Sequence, residues 1–294
     1  MNRFLGNKKA IAIFILPALC IFVFIVILSI GTSFYYSLHD WDGITEKTFI
    51  GLGNYVKLFV GNTDGFSKAL GNSLILAVLS IVGELIPATF FAIVLARGVK
   101  GEGFFRTVFF IPVLLSSVVL GQLWSMIYNP SYGLLNSVFT KLGLDGFVRV
   151  WLGDAKTALL CVFVVVIWQH IGYHMLLIYS GVKWIPADIF EAAEIDGASR
   201  LQTAFRIIVP LILPTIKTSM VLAVIGSLKM FDIIYVLTNG GPNHATEVAS
   251  TLMYTSIFKK NLYGYGSSMA IFIIVECLVF TALINLWKPK QYTY

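Results

Sequence analysis

Charge is what this 294-residue chain most lacks: 12% of its residues are Asp, Glu, Lys or Arg, against about 25% in soluble domains. With 57% hydrophobic residues beside so little charge, it reads as a protein of the lipid bilayer. Cysteine is scarce too. Cys20, Cys161 and Cys277 all fall inside apolar runs at no disulfide or zinc spacing, and read as small buried helix residues. No GxxxxGKS/T occurs, so no ATP site is expected in this chain. Asn239-Gly240-Gly241-Pro242 lacks the lysine and the strand-to-helix setting of a phosphate loop, and reads as a tight turn. Neither HExxH nor a nucleophile–base pair appears, so no catalytic residue is assigned. The net charge of +6 could suit a nucleic acid, but the basic residues form no patch. They flank apolar runs, as the positive-inside bias requires, and no nucleic-acid partner is expected.

What is present is oil. Apolar runs stand at roughly 10–36, 71–96, 107–128, 157–182, 209–231 and 267–287, each near the ~20 residues that cross ~30 Å of hydrocarbon. In lipid the backbone must bond to itself, so these runs are helices. The fold class is therefore an all-α polytopic membrane protein with six transmembrane helices. The first run far exceeds the 7–15 residues of a signal-peptide core, and Leu19 is too large to precede a lipoprotein cysteine. It reads as a retained span.

Orientation follows from Lys and Arg in short loops. Arg3, Lys8 and Lys9 precede the first span; Arg97, Lys100 and Arg106 outweigh Glu102 in the 97–106 loop; Lys288 and Lys290 follow the last span. Six spans put all three segments, and both termini, on the cytoplasmic side. The segment 183–208 is then cytoplasmic as well, yet it carries three bases and four acids, so charge bias does not explain it.

That segment contains EAAEIDGASRLQTAF, residues 191–205. Pro186 and Asp188 are helix-start signals and Gly197 breaks the run, which predicts two helical turns, a kink, and a second helix through Arg200, Phe205 and Ile208. Ala192, Ala193, Gly197 and Ala198 leave one flank almost bare, where a partner surface could approach the backbone between Glu191 and Asp196. An ordinary helix lying on the membrane is the plainer alternative.

The longer run IPADIFEAAEIDGASRLQTAFRIIVPLILP resembles the EAA motif of ABC-importer permeases, membrane subunits that dock on a separate ATPase. Glu191, Ala192, Ala193, Asp196, Gly197, Ala198, Phe205, Pro210 and Pro214 stand at the motif's spacing. SLKMFDIIYVLTNGGP, residues 227–242, with TLMYTSIFKKNLYGYGSSMA, resembles the maltose and multiple-sugar branch, and the likeness covers residues 10–290. The short outer loops lack the inserted domain of the enteric maltose subunit and resemble the compact multiple-sugar type.

The resemblance implies a single permease domain over 1–294 with the type I ABC importer fold, in a bacterial cell membrane. Segment 186–208 would be a coupling helix seated in the ATPase, moved as a lever between inward- and outward-facing states. It further implies a second homologous permease subunit as a heterodimer partner, two ATPase subunits that bind ATP and Mg, and an extracytoplasmic solute-binding protein facing the 239–242 turn. The chain itself would hold no cofactor and no metal.

A sugar needs neutral hydrogen-bonding groups and flat rings. Trp168, Gly172, Tyr173 and Met175 on span four are pathway candidates, the resemblance making that helix the main substrate contact. Trp168, Gly172 and Met175 share a stripe, and Ser227 with Phe231 on span five complete the wall. Trp124 and Tyr128 either extend it or belong to an interfacial belt. Lys229 near the same level would tolerate an acidic sugar.

Ionisable groups in spans are costly and need a reason. Glu84 and Glu276 read as acids of helix packing or of a subunit interface. They would be relay groups in an ion-coupled secondary transporter, the alternative reading, but no inverted repeat accompanies them. His170 and His174 share a helix face with no third ligand nearby, which favours polar lining or packing over a metal. Lys217 and Asp232 fall near span ends, where Lys can snorkel.

Overall fold

The computed structural model describes residues 8–62 and 64–289, with side chains from Ile13 onward; Arg3 and Lys290 of the orientation argument lie outside the described residues. The long helices are α1 (Ile13–Ser37), α2 (Phe66–Ala96), α3 (Glu102–Leu114), α4 (Ser117–Ile127), α6 (Ala158–Lys183), α8 (Arg200–Leu228) and α11 (Tyr263–Leu286). Shorter ones are α5 (Leu134–Lys141), α7 (Ala187–Ile195), α9 (Asp232–Leu237) and α10 (Ala249–Tyr254). Among the described residues, five helices are long and apolar enough to cross a membrane unbroken, and α3 with α4 makes a sixth span only as a bent pair.

The expected span 107–128 is this pair, broken between its two arms. The two helices meet at 98°. Thirteen residues rise only ~20 Å, short of the hydrocarbon thickness, so neither arm crosses alone. The break is local chemistry: Leu115 is extended (ψ 141°), and the Ser116 hydroxyl accepts from the Val119 N–H to start α4.

Two compact units divide the chain. One comprises the described residues up to Asn62 with 253–274. In it, α1 presents an apolar window with no buried residue. It leads into a two-stranded hairpin, β1 (His39–Asp40) and β2 (Thr48–Phe49). Buried Asn54 donates to the carbonyls of Ser37 and His39, both at 2.9 Å, and the Gly264 N–H donates to Trp41 O (3.1 Å). In the turn, Asp42 accepts from the Ile44 and Thr45 amides and the Thr45 hydroxyl, which draws its carboxyl down to about 2.

The other unit, 64–252 with 275 onward, is built round α6, which packs on α2, α3 and α8. Its core joins Ala88 and Ala92 of α2, Met175, Ile178 and Val182 of α6, and Ile208 and Ile212 of α8. A second cluster sets Leu120 of α4 against Val162, Val165 and Val166 of α6 and Ile233 and Ile234 of α9. The α3 contact is unusually close. A Cβ on Gly172 would lie 1.8 Å from the Phe109 carbonyl oxygen, so only glycine lets the two backbones meet.

Polar groups cross-link the same helices. His174 Nε2 is 3.1 Å from Glu84 Oε2, and its Nδ1 shares a 2.7 Å hydrogen bond with Ser219 Oγ. All three residues are buried, so one imidazole ties α6 to α2 and α8. Ser227 and Ser80 share a 2.8 Å hydrogen bond between their hydroxyls, a second link between α8 and α2. Glu84 and His174 thus both serve helix packing.

Removing one partner of the buried pair leaves the other uncompensated. His174→Ala should destabilise the chain by about 3–5 kcal/mol, and Glu84→Gln, which keeps a hydrogen-bonding group without the charge, should cost clearly less. Thermal unfolding in detergent checks this; equal midpoints for His174→Ala and wild type would refute the cross-link.

Candidate functional site

The acidic stretch forms α7, a break, and the start of α8. Helix α7 begins after extended Pro186, with Asp188 in its first turn. It ends at Gly197, whose φ of +73° suits glycine. The Gly197 N–H reaches Glu194 O (3.0 Å) and the Ala198 N–H reaches Ala193 O (2.9 Å), the paired bonds of a Schellman end. Two residues later the chain restarts. Ser199 Oγ accepts from the Gln202 N–H (3.3 Å) and Gln202 Oε1 accepts from the Ser199 N–H (2.7 Å), a capping box. Stop and start are thus both covalently local, which fixes the angle of α7 to α8 with few tertiary contacts.

The faces of α7 differ. Ile189 and Phe190 pack on the main core, and Ala193 is 4% exposed. Glu191, Ala192, Glu194, Ile195, Asp196 and Gly197 are exposed. This corrects the expected small flank: Ala193 faces inward, Ala198 is half-buried, and the open surface is Glu191, Ala192 and Gly197. No atom lies within 4 Å of a Cβ built on Gly197, so its conflict with larger residues is backbone strain rather than crowding. Ile195, 86% exposed, and Trp184, 84% exposed, add apolar surface that the sequence reading did not single out. Phe205 is also exposed, but it faces a groove shared with α2.

Next to this stretch, Glu102 gathers three partners. It accepts from the Tyr179 hydroxyl and lies 3.7 Å from Lys183 Nζ and 4.0 Å from Arg106 Nη1. Arg106 also sits over the Tyr179 ring, 4.9 Å from its centre. The cluster ties the 97–106 loop to the end of α6, from which α7 departs. A lone acid among three loop bases was its only signal in the sequence.

The six expected pathway residues do not form one wall. Trp168 and Tyr173 are exposed, and Trp168 meets Trp124 edge-on at 5.5 Å. Gly172 opens no space beside the backbone, because Phe109 fills it. Met175 is fully buried in the core and Ser227 is spent on Ser80 and Ala223 O. Helix α8 ends at Leu228, so Phe231 is not on it; half-buried, it stacks on Tyr235 at 5.1 Å. Tyr128 is buried against Cys161 O and serves packing. His170 holds its own helix's Val166 O at 2.9 Å, while His174 turns to Glu84. Glu276 is buried on α11 with one carboxylate oxygen unpartnered among the described residues.

At the opposite ends of these helices, the segment 243–247 that follows the 239–242 turn is held by side chains of α2. Asn72 donates to Ala245 O (3.0 Å) and Glu247 O (2.7 Å), and Lys68 to Asn243 O (3.3 Å). Within the loop Thr246 bonds Thr238 and Gly241 O, both at 2.7 Å. The turn and the segment after it are thus braced by side-chain bonds.

Against known proteins, residues 88–291 match the family described as binding-protein-dependent transport system inner membrane component. The chain is 40% identical over 280 residues to the probable ABC transporter permease protein YurN of Bacillus subtilis, covering 94% of this chain and 95% of that one. It is 37% identical over 243 residues to the multiple sugar-binding transport system permease protein MsmF of Streptococcus mutans, covering 82% of each. A permease chain in the crystal structure of a bacterial alginate ABC transporter, in complex with an alginate-pentasaccharide-bound periplasmic protein, superposes with a TM-score of 0.81. The match covers 95% of this chain and 93% of that one at 23% identity, a likeness of fold. A bundle of spanning helices round α6, an α7 stopped and restarted by its own caps, and these matches agree: the chain belongs to the family of binding-protein-dependent transport system inner membrane components, the permease subunits of ABC importers.

Proposed function

We propose that this permease forms half of the path of an ATP-driven sugar importer, with α7 as its coupling helix. The observation that carries the reading is the two-faced α7, rooted by Ile189, Phe190 and Ala193 and offering Glu191, Ala192 and Gly197 outward. A rigid helix held by local caps can transmit a push from a docked subunit to α8 without unfolding. ATP and Mg would bind in two separate ATPase subunits, and a second permease chain and a solute-binding protein complete the assembly. Sugar as the cargo is supported by the name of the Streptococcus mutans relative and by the exposed rings of Trp168 and Tyr173. Membership of this family, together with the packing role of Glu84, argues against an ion-coupled transporter working alone.

The coupling reading separates two neighbouring alanines. Ala192→Trp and Glu191→Lys, on the open face, should cut transport-linked ATP hydrolysis at least about tenfold, a loss of ~1.4 kcal/mol of docking, with unfolding midpoints unchanged. Ala193→Leu, on the buried face, should lower the midpoint itself. Full stimulated ATPase activity in both open-face variants of the reconstituted transporter defeats the reading.

The path is tested by affinity. Trp168→Ala should raise the half-saturating sugar concentration about fivefold, the worth of ~1 kcal/mol of stacking, with assembly intact. Gly172→Trp should instead lower the unfolding midpoint by forcing α3 from α6. Unchanged uptake by Trp168→Ala would place the path elsewhere.

Orientation follows the basic loops, with α7 and both termini in the cytoplasm. On a background lacking Cys20, Cys161 and Cys277, Ala192→Cys should react with an impermeant maleimide only from the cytoplasm and Asn243→Cys only from outside. Labelling of both from one side contradicts the arrangement.

A further inference from the structure

We propose that the groove between α2 and the first half of α8 binds an anionic glycerophospholipid, one acyl chain in the groove and the phosphate against Arg97 and Arg200. The groove encloses about 540 Å³. Ile86 and Phe90 form one wall, Leu201 and Phe205 the other, and these four side chains are 61–71% exposed in the chain. Both arginines sit at one end, and no acidic residue lines the groove. This inference does not depend on what the permease carries.

Length and charge select the occupant. From Arg97 the lining runs back along α2 to Ile81, sixteen residues and a rise of ~24 Å, most of the ~30 Å hydrocarbon thickness. A long apolar trough with cations at one end suits an amphiphile with an acyl tail and an anionic head, and not a soluble anion. Arg97 is held in place: its Nη2 donates to Arg200 O at 2.7 Å. A guanidinium has five N–H donors, so one such bond leaves the rest of the fork for phosphate oxygens. Neither arginine forms an ion pair among the described residues. Glu102, five residues after Arg97, is already engaged by Tyr179, Lys183 and Arg106, and Asp196, four residues before Arg200, pairs with neither arginine among the described residues. A protein segment filling the groove would have to bring both apolar surface and its own carboxylates to the same end. A lipid of this class brings both in one molecule, and basic pockets between membrane helices recognise such headgroups.

The test uses the assembled transporter in nanodiscs of equal phosphatidylglycerol and phosphatidylcholine. A photo-crosslinking benzoyl-phenylalanine replaces Phe90, and adducts are weighed by mass spectrometry. Phosphatidylglycerol adducts should exceed phosphatidylcholine adducts about fivefold, Arg97→Gln should bring the two near parity, and Arg97→Lys should keep most of the preference. Because the readout is a ratio within one sample, reduced assembly of a variant leaves it interpretable. Adducts in the bulk proportion in the parent, a ratio indifferent to Arg97→Gln, or crosslinks to a protein chain instead of lipid would each overturn the proposal.

Discussion

Hydrocarbon offers no hydrogen bonds, so each polar side chain on a spanning helix must bond back to its own helix, find a partner on another, or stand unsatisfied. The imidazole of His174 is where this constraint organises the second unit. It faces Glu84 on one side and Ser219 on the other, so three helices are registered by one ring. Apolar packing alone is nearly indifferent to sliding one helix along another; a buried triad is not. Around it lie the small residues Ala88 and Ala92, and two residues before His174 comes Gly172, seated on the Phe109 carbonyl. The order of causes runs from the solvent to the triad, and from the triad to the tight contacts that fix α3.

The long apolar runs were legible because lipid imposes one length and one composition, and neither needs tertiary information. The bend between α3 and α4 was not. Ser116 lies inside an otherwise apolar run, and a serine there caps a helix or bonds back within one equally well; only the packing of α4 on α9 decides. Gly172 misled for a related reason. A glycine beside aromatics looks like room for a ligand, but it is also what a helix needs to meet another backbone, and composition is the same in both cases.

In the acidic stretch the sequence carried more than was drawn from it. Gly197 marked the stop, and Ser199 with Gln202 three residues on is a capping-box signature readable without coordinates. What could not be read was the side to which Ala193 turns. The stretch is rich in alanine all round, so its hydrophobic pattern has no strong phase, and inward orientation is set by Ile189 and Phe190 finding the core.

A coupling element must satisfy two demands that oppose each other. It has to be stiff along its length, yet attached loosely enough to tilt with a partner. Deep burial would supply stiffness and forbid tilting; a flexible loop would do the reverse. Here stiffness comes from bonds within a dozen residues, the Schellman end and the capping box, which move with the segment rather than anchoring it. Attachment comes from two half-buried side chains and one alanine, and at its root from the Glu102 cluster at the end of α6. In the coupling proposed above, local hydrogen bonds for shape and a small apolar root for connection would let α7 turn as a body, with α8, continuous from Arg200, turning with it.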